Sequence, residues 1–247
     1  MSKIALVTGA SSGIGRNAAL ALCDAGYTVV GCGRREEGLA ETAKQITKGE
    51  FHPVVCDVAD IGSVDAMFAE IKSRYGRLDV AFNNAGNNVP STNFGDLTFD
   101  DWRTVIGVNL DGAFLIANRA YQMMRDQSPQ GGRIINNGSI SAHVPRPGSA
   151  PYTSSKHAIT GLTRSISLDG RAHNIACSQI DIGNAASEMT EVMKTGVPQP
   201  DGSMRPEPTM DVGHVGNAVV HMANLPLDAN VLFMTIMATD MPFVGRG

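Results

Sequence analysis

Short apolar runs rich in β-branched residues recur along the chain at 4–8, 28–32, 52–56, 80–83, 133–137, 175–180 and 231–238, and longer segments with helical spacing separate them. The pattern predicts about seven strands alternating with helices. After Asp60 the helical period is explicit, because Val64, Met67, Phe68, Ile71 and Tyr75 fall at i, i+3, i+4, i+7 and i+11 and form one stripe to bury. Strand and helix in alternation imply a parallel sheet, doubly wound, with right-handed crossovers and helices on both faces. Ligands of such sheets bind beyond the carboxyl ends of the strands, so the chemistry should be sought there.

One stretch breaks the rhythm. Between Gly183 and Met210 lie Pro198, Pro200, Pro206 and Pro208, two further glycines and little strand propensity. It reads as a substrate-binding loop at about 184–210 with one short helix near 187–195. No Pro/Ser linker or repeat divides the 247 residues, so the expectation is a single α/β domain over 1–247.

With 43% hydrophobic and 18% charged residues the chain is an ordinary globular mixture, and its net charge of −4 without a basic block argues against nucleic acid or an anionic membrane surface as partner. No apolar run approaches the length of a membrane span. Cys23, Cys32, Cys56 and Cys177 are widely spaced, with no CxxC pair, and no signal-peptide pattern opens the chain; reduced thiols in a cytoplasmic protein are expected. Six histidines show no paired metal spacing, so no metal site is assigned.

The first strand runs into Thr8-Gly9-Ala10-Ser11-Ser12-Gly13-Ile14-Gly15, after which a helical pattern begins. Glycines in a strand-to-helix turn let backbone amides approach a phosphate, and the helix N-terminus adds a positive dipole. The spacing TGxxxGxG, in this context, resembles the short-chain dehydrogenase/reductase family, whose motifs match from about Lys3 to Ser187. That resemblance implies a Rossmann-type fold, an NAD(P)-dependent oxidoreductase acting on an alcohol/carbonyl pair, and a homo-oligomer, dimer or tetramer.

The second strand ends in Gly33-Arg34-Arg35, with no acid to bond the ribose 2′-OH of NAD. Two guanidinium forks suit the 2′-phosphate of NADP, each charge-assisted contact contributing about 1.5–3 kcal/mol, or roughly 10- to 150-fold in affinity. NADP is therefore the expected cofactor. NAD remains the alternative, with both arginines solvated at a helix start beside Glu36 and Glu37, and Ser12 stands where some relatives carry a basic residue. The resemblance further implies that Asp57 and Val58 meet the adenine, that Asn83-Asn84-Ala85-Gly86 line the adenosine pocket, and that Gly183 and Ser187 approach the nicotinamide. Relatives carry Pro-Gly and then a Thr near that last position, where this chain has Ile182-Gly183 and Ser187.

Tyr152 and Lys156 stand four apart at the entry of a helical segment and share a face, with Ser139 thirteen residues before Tyr152. A free phenol has a pKa of about 10; a cation beside it favours the phenolate, and bringing it to neutrality corresponds to roughly 4 kcal/mol. The resemblance makes Tyr152 the general acid/base, assisted by Lys156. It makes Ser139 the group that orients the substrate oxygen, and places Asn109 in a helix kink that supports the proton relay. The sequence Asn137-Gly138-Ser139-Ile140-Ser141 lacks the GxSxG elbow of a hydrolase. A non-catalytic dinucleotide-binding regulator is the reading from another class, and substrate identity stays open.

Overall fold

The computed structural model describes residues 2–187 and 190–244. Seven strands form one parallel sheet: β1 Ile4–Thr8, β2 Thr28–Gly33, β3 Glu50–Val55, β4 Val80–Asn83, β5 Gly132–Asn137, β6 Ile175–Gly183 and, after the short β7 Val197–Pro198 and β8 Met204–Arg205, β9 Phe233–Met237. Their order is β3-β2-β1-β4-β5-β6-β9. The winding reverses between β1 and β4, and a crevice opens where the two halves diverge.

Helices cover both faces. These are α1 Gly13–Asp24, α2 Glu36–Gln45, α3 Ile61–Tyr75, α4 Phe99–Ile106, α5 Ala113–Asp126, α6 Ala150–Asp169, the single turn α7 Val192–Thr195, and α8 Gly213–Asn224. Side chains alternate across the sheet into two cores: Ala5, Val7, Val29 and Phe82 pack with α1 and α8 residues such as Leu22, Val215 and Met222, while Leu6, Val30, Ala81 and Ile134 pack with Ile71, Ile116 and Met124. Strands buried on both faces read as continuous apolar runs, which is why the sequence pattern locates them. In α3 the predicted stripe buries Val64, Met67, Phe68 and Ile71, each contributing about 1.5–3 kcal/mol, whereas Tyr75 is only partly covered. Asp60 caps this helix by accepting from Ser63 N at 2.6 Å, and Gly76 ends it at φ 70.

Three differences from the sequence pattern have physical causes. The third strand begins at Glu50, two residues early, and contains Pro53, which the sheet edge tolerates. The sixth continues to Gly183 because β9 pairs with its second half. The Pro-rich segment, expected as a loop, folds back as the antiparallel pair β7·β8, and of the helix expected near 187–195 the described part is helical over Val192–Thr195, with 188 and 189 outside the described residues. Among the described residues no helix is long and apolar enough to cross a membrane.

Candidate active site

The turn after β1 is shaped by close approach. Gly9 has φ 69, and a Cβ on it would stand 3.0 Å from Asn84 Nδ2; one on Gly15 would collide with the Gly9 carbonyl. Ser12 is the N-cap of α1, yet its side chain takes none of the first-turn amides, leaving them for a ligand. Thr8 Oγ1 accepts from Asn84 N and Ala85 N, both at 2.8 Å, which fixes the end of β4 against the end of β1.

A cleft of about 960 Å³ runs along these strand ends. Gly9, Ser11, Ser12, Gly13, Ile14 and Gly15 line one part, with Arg34, Arg35, Asp57 and Val58 beside them. Arg35 donates to Ser12 Oγ at 2.9 Å, and Arg34 lies 3.9 Å from Asp57. Asn84, Ala85, Gly86 and Ser187 also border the cleft.

Two residues expected at the cofactor face elsewhere. Asn83 is buried and donates to Ala113 O at 2.8 Å and Asn136 Oδ1 at 3.2 Å, so it ties β4 to α5 and β5. Gly183 is packed against Met237 and Met241, where a Cβ would have no room; its neighbours Ile182 and Asn184 line the cleft instead.

The residues expected to carry the proton transfer gather at the other part of the cleft. Ser139 follows β5, while Tyr152 and Lys156 lie in the opening turns of α6, which carries Pro151 where no intrahelical amide is needed. Lys156 Nζ sits 5.5 Å from the Tyr152 ring centroid and donates to Asn137 O at 2.8 Å. Burial draws the Lys156 ammonium down to about 8, against an opposing pull from Asp181. The Tyr152 phenol is pushed above its ordinary value by burial, and the pulls that lower it come from the Ser139 hydrogen bond and the charge of Arg146. The Lys156 ammonium, expected to act on the phenol, lies over its ring while it holds Asn137 O, and the charge of Arg146 also acts on the phenol.

Asn109 lies within a π-helical turn, Gly107–Gly112, that joins α4 to α5, a form of kink frequent at functional sites. It is buried beside the cleft wall rather than in it. Its Oδ1 accepts from Asn87 N at 2.8 Å, and its Nδ2 donates to Asn87 O at 2.9 Å and to Ser155 Oγ at 3.4 Å. His143 bonds Asp181 and does not line the cleft.

The sequence reading missed Arg146 and Glu207. Arg146 lines the cleft and makes a paired contact with the buried Glu207 carboxylate, 2.6 Å to each oxygen, while its Nη2 also donates to Asn184 Oδ1 at 3.0 Å. Burial pushes the Glu207 carboxyl upward, but hydrogen bonds from Arg146, Asn184 and Gln199 and the charge of Arg146 outweigh it and hold it at about 2. Nothing in the spacing of these residues signals the contact; an acid among four prolines was the only hint.

A model of the short chain dehydrogenase family matches residues 3–197, most of the chain. The chain belongs to the short-chain dehydrogenase/reductase family. This family member is 42% identical over 193 residues to a 3β-hydroxysteroid dehydrogenase of Mediterraneibacter gnavus, covering 76% of this chain and 68% of that protein. It is 31% identical over 242 residues to sulfoacetaldehyde reductase 2 of Chromohalobacter salexigens, covering 97% and 95%. Among solved structures, acetoin dehydrogenase YohF from Salmonella typhimurium superposes with a TM-score of 0.82 at 29% identity over 96% of both chains. The short-chain dehydrogenase/reductase is thus an NAD(P)-dependent oxidoreductase, and its glycine turn, a first helix with no side-chain cap, and the cleft at the strand ends suit a dinucleotide.

Proposed function

We propose that this oxidoreductase moves a hydride between NADP(H) and a secondary alcohol or ketone, with Tyr152 as general acid/base. One observation carries the reading: Ser139, Tyr152 and Lys156 share a wall of the cleft whose far part holds the glycine turn with Arg34 and Arg35.

A bound nicotinamide supplies or takes up the hydride. The chain's own residues hold and charge the reacting oxygen. Ser139 Oγ offers a hydrogen bond to it, and Tyr152 Oη gives or takes the alcohol proton. Lys156, whose ammonium stands over the phenol ring, provides positive charge that favours the phenolate as the proton leaves. Asn109, through Ser155 and Asn87, stiffens the helix junction behind Tyr152. Asp57, Val58 and Ala85 would hold the adenosine part of the cofactor, and Arg34 and Arg35 would offer charge to a 2′-phosphate.

The charge of Arg146 is already matched by Glu207, so the substrate wall favours an uncharged group over a phosphate or polycarboxylate. The names of the relatives supply a first panel of carbonyl substrates: acetoin, a 3-keto steroid and sulfoacetaldehyde. The test is a parallel titration with NADPH and NADH at fixed ionic strength, in the parent and in Arg34→Ala, followed by that panel. Tighter NADPH binding that collapses in the variant supports the reading. Equal or tighter NADH binding overturns the assignment of NADP.

A further inference from the structure

Strand β6 carries two polar residues on consecutive inward positions, Gln179 and Asp181, both fully or almost fully buried. A buried carboxylate is costly unless hydrogen bonds and opposite charge compensate it, and the compensation here converges on the active site. Asp181 Oδ1 accepts from Ser139 N at 3.0 Å and from Gln179 Nε2 at 2.7 Å, while Oδ2 lies 2.8 Å from His143 Nε2. Gly138 leaves the space this requires, since a Cβ there would collide with Asp181 Oδ1.

The geometry assigns Asp181 as a positioning residue for the proton-transfer site: its carboxylate fixes the backbone amide of Ser139, two residues beyond the Asn137 carbonyl that Lys156 holds, and acts as counter-charge to that ammonium. Two adjacent peptide units are held from opposite signs, with Lys156 Nζ on Asn137 O at 2.8 Å and Asp181 on Ser139 N. Gln179 extends the hold to α6, because it donates to Thr160 Oγ1 at 3.1 Å and accepts from Thr163 Oγ1 at 3.2 Å. The strand that orients the substrate oxygen and the helix that bears Tyr152 and Lys156 are therefore joined through one buried acid and one amide. Asp181 is also the charge that opposes the effect of burial on Lys156.

The titratable or charged groups around this pair are Tyr152 on the same helix as Lys156, Arg146 from the segment before it, and His143 on the outer oxygen of Asp181. The inference rests on the proposed roles of Ser139, Tyr152 and Lys156, and its test is independent of turnover. The chain has six lysines, so a protein labelled with 13C at lysine Cε gives a small set of resonances, and Lys156→Arg identifies the one required. Asp181→Asn keeps an oxygen for the Ser139 amide, removes the charge, and puts an amide NH2 where Oδ2 meets His143.

The Lys156 midpoint in the parent is expected near 8, and in Asp181→Asn it falls by about half a pH unit or more. An unchanged midpoint in a folded variant overturns the proposal, since a merely structural Asp181 would not move it. Should Asp181→Asn fail to fold, the 13Cγ resonance of Asp181 in the parent decides: a step at the Lys156 midpoint supports the pairing, and its absence overturns it. With a turned-over substrate in hand, the variant lowers kcat/KM while NADPH affinity stays constant. If no substrate of the panel reacts, the proposed activity is in question and the lysine titration still stands or falls by itself.

Discussion

Arg146 and Glu207, 61 residues apart in the chain, meet through two 2.6 Å hydrogen bonds and bind the loop at 184–210 to the segment that precedes Tyr152. Asn184, in a left-handed conformation at φ 49 that Asn tolerates better than most residues, bridges both partners. The loop is thereby fixed at its root and near its end, with β7 and β8 between.

The Glu207 carboxyl is held at about 2, below its ordinary 4.5, so its contribution is complete above the unfolded value and is lost as pH falls through the folded one. Replacement by Gln should cost on the order of 3 kcal/mol at neutral pH, because it leaves the Arg146 charge without its counter-ion. Urea unfolding of parent and Glu207→Gln checks this. The gap between them is expected to narrow steadily as pH is lowered from about 5 toward 2.

Tyr152→Phe removes the phenol oxygen and keeps the ring that packs beneath Lys156. Turnover of any substrate found should fall by about 10²- to 10⁴-fold, with NADPH affinity little changed. Rates close to those of the parent would show that another group moves the proton.

Preference for NADPH, if it comes from the charges of Arg34 and Arg35, should weaken as ionic strength rises, because both arginines are near solvent and the extra phosphate is the screened group. The ratio of NADH to NADPH dissociation constants, followed by nicotinamide fluorescence across a salt series, is expected to shrink steadily. A ratio indifferent to salt would assign the preference to shape.

Cys56 lines the cleft beside Asp57, and a hydrogen bond from Cys32 lowers its thiol below the usual range. Burial pushes Cys23 and Cys177 up to about 12. Iodoacetamide should therefore label Cys56 first, and saturating NADPH should slow that labelling. Peptide mass spectrometry reads both effects; uniform labelling of the four cysteines would count against a thiolate at this position.

The alternation of short apolar runs with helical stripes was sufficient for the parallel sheet, because strands covered on both faces must be apolar throughout and the helices that cover them must carry a stripe. Local geometry made the glycine turn legible, since Gly9 takes a positive φ and a Cβ on Gly15 would collide with the Gly9 carbonyl. Tyr152 and Lys156 were legible for the same reason: four residues on a helix fix a common face. Ser139 was placed by its distance from Tyr152 and by the family pattern.

Other features depend on contacts between residues distant in sequence. Asn83 carries the same motif as Asn84, yet the direction in which the strand presents each side chain sends one into the core and the other to the cleft. Arg146 reads as a solvated charge until the fold brings Glu207 to it, and Asp181 reads as one more strand residue until Ser139, Gln179 and His143 surround it. Sequence spacing determines what lies on one face of one element. Which buried charge meets which is decided only when strands and loops from different parts of the chain are packed together and each desolvated group has to find its partner.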